Sequence, residues 1–379
     1  MELFEFETKS ILQKYGILVP KANIASKPEE AETIAKEIGK PVVLKSQILV
    51  SSRGKAGGII FANDAAKAKE VALNLIGSTI KRCIVDSLLV EEKLDIVEQF
   101  YASVAIDRQA RTYIVLASTS GGVDIEEVAR SSPEKMSRHW VDVDIGFSRS
   151  DAIGMLRRFN LNKDDAAKFA TIINILYTVA MDYDAELVEI NPLAKTSSGE
   201  FAAADARMTV DDNAVFRHPE FKDRSLLRAG DTPREAEARK QKLAYVDLDG
   251  EIGIAGNGAG LVMATIDLVQ LFGGRPGNFL DLGGGSPAES AKQGIMLVMA
   301  KPEIKAVLIN ILGGITRCDV VAQGIVNVLN ESPIKKPIVV RMVGTNEEEG
   351  IQILRGAGVH VYSNLEEAVK QILRLKGDL

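Results

Sequence analysis

From residue 252 to residue 375, strand-length apolar runs alternate with helix-length periodic segments, and short glycine-rich turns lead from strand to helix. The alternation predicts strands at 252–255, 278–282, 306–311, 338–343 and 359–362, with helices at 261–272, 287–300, 319–329, 347–356 and 365–375. Apolar strands separated by helices close their backbone hydrogen bonds in a parallel sheet covered on both faces, because parallel neighbours need a long crossover. The expected fold class is α/β, with a doubly wound, flavodoxin-like parallel sheet in this half. Ligands of such sheets lie at the carboxyl ends of the strands. Three glycine loops fall there: Gly256-Asn257-Gly258-Ala259-Gly260, Gly283-Gly284-Gly285-Ser286 and Gly313-Gly314-Ile315-Thr316. The first lacks the full dinucleotide fingerprint and has no ribose-binding acid at the expected spacing. The second runs into Ser286-Pro287-Ala288-Glu289, a capping box. The third opens directly onto a helix, so its N–H groups favour an anion, phosphate or carboxylate.

The first half has a different rhythm. A capping box at Ser26–Glu29 opens a helix that Gly39 closes, strand 42–45 follows, and Asn63 caps a helix running to Gly77. Strands are expected at 80–91, 100–107 and 112–119, and a long helix from a cap at Asn162 to about Asp182. Segments 186–194 and 201–209 flank the Ser197-Ser198-Gly199 turn as a hairpin. Residues 217–242 are about half charged and weakly periodic, which reads as a linker with some helix. The predicted domains are 1–237, with a smaller subdomain at about 21–100, and 238–379.

A chain of 379 residues exceeds one compact core. Its net charge of −6 argues against nucleic acid or an anionic membrane as partner, so a phosphate site must be a local basic feature. Apolar runs of membrane-spanning length are lacking, and Cys83 and Cys318 stand far apart outside any metal-like grouping. A reducing cytoplasm fits.

The basic feature lies at PVVLKSQILVSSRGKA, residues 41–56, followed by Gly57 and Gly58. A strand delivers Lys45, and a flexible Arg53-Gly54-Lys55 turn follows. Lysine offers a point charge to phosphate oxygens, and glycines let backbone N–H groups approach them. It is not a Walker loop, and an ordinary basic hairpin has the same composition. In the later hairpin, Glu189 and Asn191 project from one face of a strand, and the turn returns Asp205 to within about one register step of Asn191. A carboxylate beside an amide oxygen suits Mg²⁺, which keeps waters and phosphate oxygens as its other ligands. The competing reading is a solvated polar hairpin. Against it, Glu189 lies between Val188 and Ile190, and Asp205 follows three alanines. Cys318 at a helix start reads as packing.

The motifs ELFEFETKSILQKYGILVP, SSRGKAGG, ASTSGGVDIEEVA, EINPLA, DDNAVFRHPE, GNGAGLVMATID, NFLDLGGG and NILGGITRCD run in order along the chain. Together they resemble the ATP-grasp acyl-CoA synthetase family, in the form of succinyl-CoA synthetase β subunits. The resemblance implies an N-terminal ATP-grasp domain ahead of the flavodoxin-like one. It implies nucleotide contacts at Lys45, Ser52, Arg53, Gly54, Glu91, Leu94 and Gln99, and one Mg²⁺ held by Asn191 and Asp205. Glu189 matches the glutamate that orients a phosphohistidine delivered by a partner subunit. Asn257, Gly314, Ile315 and Thr316 match the substrate-carboxylate region. The sequence departs from the family where Ser51-Ser52 replaces glycines and where Gln99 replaces a glutamate, with Glu98 beside it. Pro20 resembles the ATP-using members. The family's glycine-flanked phosphohistidine is absent, and His139, His218 and His360 read as surface or structural. The implied activity is reversible: succinyl-CoA, phosphate and NDP give succinate, CoA and NTP, with an α subunit carrying the histidine and the CoA site. A malate– or citrate–CoA ligase β subunit, or a nucleotide-binding regulatory subunit, are the alternatives. Whether the assembly is αβ or α₂β₂ stays open.

Overall fold

The computed structural model describes residues 1–50, 53–81, 83–221, 231–285 and 287–377. The chain divides into two compact units, Met1–Gly230 and Asp231–Leu379. The expected boundary after residue 237 falls inside the first helix of the second unit, Pro233–Lys240.

Among the described residues, the first unit holds two large antiparallel sheets and a two-stranded one. The smaller of the large two orders its strands Ala22–Ala25, Leu88–Glu92, Val42–Ser46 and Ile59–Ala62. Helices Pro28–Ile38 and Ala65–Leu75 cover it over a core that includes Ala31, Leu44, Val71 and Val90. Gly39 ends the first helix in the left-handed region, at φ 68°. The caps sit one residue later than expected. Lys27 is the N-cap with Pro28 in the first turn, so Glu30, not Glu29, reaches back to Ser26 N at 2.7 Å. Asp64, not Asn63, caps the next helix by accepting from Lys67 N at 2.8 Å. The expected strand 80–91 is a short hairpin, Thr79–Ile80 with Cys83–Ile84, and then strand Leu88–Glu92.

In the larger sheet, Phe201–Ala203 and Ala206–Val210 both pair with Ala185–Thr196, which pairs on its other side with Ile96–Asp107; that strand pairs with Thr112–Ser118, and Thr112–Ser118 with the edge strand Met136–Trp140. Helix Lys163–Asp182 starts at Asn162, whose Oδ1 accepts from Asp165 N at 2.9 Å. Its buried stripe of Phe169, Ile173, Leu176 and Val179 follows helical spacing, and Phe169 meets Phe100 and Phe201 of the sheet. The expected strand 201–209 breaks at Ala204 and Asp205. Opposite them Pro192 has no N–H to offer, and the ladder on the other side shifts register between Ile190 and Leu193. Helix Glu5–Lys14, strand Met136–Trp140 and helix Arg149–Leu156 carry no clear periodic signal in the sequence.

The second unit orders its parallel strands Asn278–Asp281, Ile252–Gly256, Ala306–Gly313, Ile338–Gly344 and His360–Tyr362. By chain position that is second, first, third, fourth, fifth, the flavodoxin-like order. An edge strand, Ala244–Asp247, adds antiparallel to Asn278–Asp281. It is short and follows the charged stretch, so the apolar pattern did not reveal it. Two apolar cores lie on opposite sheet faces and divide one strand between them: Val307, Ile309 and Ile311 go to one, Ala306 and Leu308 to the other. Asn278, fully buried, bonds Ile254 N at 3.0 Å and Ile254 O at 2.8 Å. Its amide fills the gap in the ladder between the pairings of Ile252 with Pro276 and Gly256 with Asp281. Among the described residues, no helix is long and apolar enough to cross a membrane.

Candidate functional site

A cavity of about 540 Å³ opens in the first unit, and Arg53, Gly54, Glu189, Asn191 and Asp205 are on its walls. The loop that brings Arg53 there is tied at its root. Gly58 N donates to Arg53 O at 2.9 Å, and Ser46 N donates to Gly58 O at 2.8 Å, so the turn is fastened to the strand that carries Lys45. Gly57 takes φ 81°, which only glycine adopts cheaply.

Beneath the cavity lies a buried network of charges. Lys45 Nζ meets Glu91 Oε1 at 2.5 Å, Glu5 Oε1 at 2.9 Å and Ala204 O at 2.5 Å. Lys9 Nζ meets Glu91 Oε2 at 2.6 Å, Glu5 Oε1 at 2.7 Å and Ala204 O at 2.8 Å. Arg53 closes over the top: it pairs with Glu5 Oε2, reaches Asp205 Oδ1 at 3.1 Å and donates to Ser46 O at 3.1 Å. Burial alone raises a carboxyl pKa, but Lys45, Lys9 and Arg53 outweigh it at Glu5 and hold that group far below the ordinary range. For Lys45, burial opposes the charge while Glu5, Glu91 and Asp205 favour it, and the net shift is upward. Arg53 is shifted upward in the same way, against burial and by Glu5 and Asp205, so Lys45 and Arg53 are both cations in the site.

Asp205 behaves oppositely. Burial and the neighbouring Glu5 push its carboxyl up to about 6, against the pull of Arg53, Lys45 and Lys9. Its side chain keeps 35% exposure on the cavity wall. It is thus an anion short of positive charge. Asn191 N donates to Asp205 O at 3.0 Å, which fixes the two residues side by side as the hairpin spacing predicts. The Asn191 amide is clamped by loop 120–124: Gly122 N donates to Oδ1 at 2.7 Å, and Nδ2 donates to Val123 O at 3.2 Å. The clamp aims the amide oxygen and leaves it a second lone pair. An under-neutralised carboxylate beside an oriented amide oxygen fits Mg²⁺, which takes few protein ligands and completes its shell with water and phosphate.

Glu189 lies on the same wall, half-buried, with burial raising its pKa. Tyr101 Oη lies 3.0 Å from its Oε2 and 2.9 Å from Ser103 Oγ. Arg207 and Ser103 are its partners on the two adjacent strands.

The structure brings Lys45, Arg53, Gly54, Glu91, Glu189, Asn191 and Asp205 into and under one cavity. Leu94 and Gln99 do not line it. Ser52 lies outside the described residues, as does Ser286 of the expected capping box. Glu5, Lys9, Tyr101 and Arg207 were missed by sequence reading. For Glu5 and Lys9 the available signal was an i, i+4 acid–base pair, which also describes any solvated helix. For Tyr101 and Ser103 it was the shared strand face opposite Glu189.

In the second unit the glycine loops are stitched together. Asn257 Nδ2 donates to Leu312 O at 2.8 Å and to Thr316 Oγ1 at 3.2 Å, its Oδ1 accepts from Leu312 N at 2.8 Å, and Gly285 N donates to Thr316 Oγ1 at 2.9 Å. Asp281, also missed, accepts from Gly258 N at 2.7 Å and Gly283 N at 2.8 Å. Thr316 is buried, and Ile315 beside it is 90% exposed. Cys318 is fully buried in the apolar core, in keeping with a packing role.

Residues 2–195 match the ATP-grasp domain family, and residues 256–374 match the CoA-ligase family. The chain is 44% identical to the succinate–CoA ligase [ADP-forming] subunit beta of Staphylothermus marinus over 100% of both chains. It is 46% identical to the protein of that name from Pyrobaculum aerophilum, over 99% of each. It is also 44% identical to the succinate–CoA ligase [GDP-forming] subunit beta of Thermus thermophilus, over 100% of this chain and 99% of that one. Among solved structures, ATP citrate lyase from Methanothrix soehngenii, in complex with citrate and coenzyme A, superposes with a TM-score of 0.78 at 20% identity, over 98% of this chain and 99% of that one. That likeness shows the shared fold. With relatives this similar over the full length, and both family models matched in order, the chain belongs to the succinate–CoA ligase β-subunit family.

Proposed function

We propose that the chain is the β subunit of an ADP-forming succinate–CoA ligase, which binds Mg-nucleotide and exchanges a phosphoryl group with a phosphohistidine on an α subunit. The observation that carries this reading is the one cavity where Arg53 shares the walls with Asp205, Asn191 and Glu189 while Lys45 lies beneath, tied to the same Glu5 as Arg53, so that two phosphate-seeking cations meet a carboxylate–amide pair. Lys45 and Arg53 have no further room for anions while Glu5 and Asp205 hold them, so an incoming triphosphate competes for both cations. Phosphoryl transfer needs positioning and charge neutralisation more than covalent help from the protein, and two fixed cations supply both. Asn191 and Asp205 hold the one Mg²⁺ of the subunit, which neutralises phosphate oxygens when bound. Glu189 orients the histidine that enters the cavity.

That histidine comes from the partner. None of the chain's three histidines lines the cavity. His218 is buried against Asp184, and His139 packs edge-on to Phe147. Asn257, Gly314, Ile315 and Thr316 contribute to holding the acid's carboxylate. Both cysteines are free thiols, which agrees with a cytoplasmic location.

The test is reconstitution with a co-expressed α subunit, Mg²⁺ and γ-³²P-labelled ATP or GTP. Acid-labile label on the α chain that requires this chain supports the ligase, and the faster nucleotide names the base. Release of that label by succinate plus CoA, and not by malate or citrate, names the acid. No label with either nucleotide sinks the reading in favour of a regulatory subunit.

A further inference from the structure

Glu189 is held by something the family motifs do not contain. It sits mid-strand in the larger sheet, and Ser103 is its direct cross-strand partner. Tyr101 is two residues from Ser103 on the same strand, so both side chains leave the sheet on Glu189's face. The Tyr101 ring is 2% exposed, and its hydroxyl meets Glu189 Oε2 and Ser103 Oγ at 3.0 and 2.9 Å. A phenol carries one proton and an ionised carboxylate only accepts. The Tyr101 proton therefore goes to Glu189, and the Ser103 hydroxyl donates into the phenol oxygen. On the opposite neighbouring strand Arg207 faces Glu189 and also pairs with Glu2 Oε1 at 2.8 Å.

We propose that Tyr101, supported by Ser103, is the positioning residue that fixes the Glu189 carboxylate and leaves Oε1 directed into the cavity. The proposal rests on the role given to Glu189 above. The geometry assigns each partner a task. Oε2 is tied to the hydroxyl of a buried tyrosine, which restricts the rotamer freedom a half-exposed glutamate otherwise keeps. Oε1 is then the atom that meets the imidazole brought in by the partner. Among the described residues, Lys45, Arg53 and Glu91 make their ion pairs with Glu5, Asp205, Lys9 and one another, while the Tyr101 hydroxyl bonds only Glu189 and Ser103. The orientation of Glu189 and the binding of nucleotide are accordingly separable.

The experiment is single-turnover phosphorylation of the α-subunit histidine by Mg-ATP in the assembled complex, with nucleotide affinity measured alongside. Tyr101→Phe keeps the ring and removes the hydroxyl. We expect roughly a tenfold slower transfer, the scale of one charge-assisted hydrogen bond, with ATP affinity and melting temperature unchanged. Because Tyr101 acts through Glu189, adding Y101F to Glu189→Gln should slow E189Q no further. A wild-type rate for Y101F overturns the proposal. So does an equal loss in the E189Q background, which marks a general packing defect. Loss of transfer in E189Q without loss in Y101F removes Tyr101's role and leaves that of Glu189 intact. A wild-type rate for E189Q removes both.

Discussion

Lys45 Nζ lies 2.9 Å from Glu5 Oε1, so a carboxylate from the first helix sits under the lysine delivered by a strand forty residues later. Glu5 also holds Lys9 and Arg53, which makes it the common counter-ion of three cations. Glu5→Gln keeps the shape and removes the charge. Leaving buried cations without their partner costs about 3–5 kcal/mol; Glu91 and Asp205 remain nearby, so the lower end is expected. Urea unfolding followed on the first unit measures it. An unshifted midpoint shows that Glu91 alone balances the cluster.

The same carboxyl sets an acid limit. Its folded pKa lies far below the ordinary value of 4.5, so the folded state binds fewer protons than the unfolded chain as pH falls below that value. Glu5 therefore contributes stability that is fully present above about pH 4.5 and is lost progressively below it. Wild type should lose stability more steeply than E5Q between that pH and the acid-unfolding range. Parallel curves for the two proteins contradict this assignment.

How legible all this was in the sequence depends on range. The parallel sheet of the second unit could be read because its strands are buried on both faces and each is one apolar run. Asn162 announced its helix because its cap is local. Lys45, Asn191 and Asp205 followed from strand delivery and hairpin register. Glu5 did not: its meaning depends on Lys45 and Arg53, which approach only after two sheets have formed, and a Glu–Lys pair at helical spacing usually faces water. Tyr101 carried no signal of its own: it is one residue of a strand, and only the pairing of Ser103 with Glu189 sets it beside that carboxylate. Strand Met136–Trp140 was hidden because it is a sheet edge with polar residues on its open side.

Gly122 couples the proposed metal pair, Asn191 and Asp205, to its loop. It sits at φ 70°, donates to Asn191 Oδ1, and an added Cβ would lie 2.1 Å from Gln99 Oε1. Gly122→Ala brings a backbone penalty of about 1–2 kcal/mol and a side-chain collision, and the loop must shift away from Asn191. Weaker Mg²⁺-dependent nucleotide binding by calorimetry is the expected result. Adding Gln99→Ala removes the collision and should restore only part of the loss, since the left-handed backbone remains. Full restoration would mean that Gln99, not the backbone, sets the loop.

Thr316 carries the corresponding burden in the second unit. The residue is 2% exposed, and its hydroxyl accepts from Gly285 N and Asn257 Nδ2, so it ties two other glycine loops to its own. Thr316→Val preserves volume and removes the acceptor, leaving donors whose loss of a partner costs about 1–3 kcal/mol each when buried. The loops respond by moving apart. If they hold the acid's carboxylate, T316V raises KM for the acid in the assembled enzyme. Lys45, Arg53 and Asp205 belong to the first unit, so KM for the nucleotide should stay at its wild-type value. A rise in nucleotide KM with no change for the acid would take the carboxylate away from Thr316. Asn257→Ala supplies the cross-check, because it also frees Leu312 N and should raise KM for the same substrate at least as much.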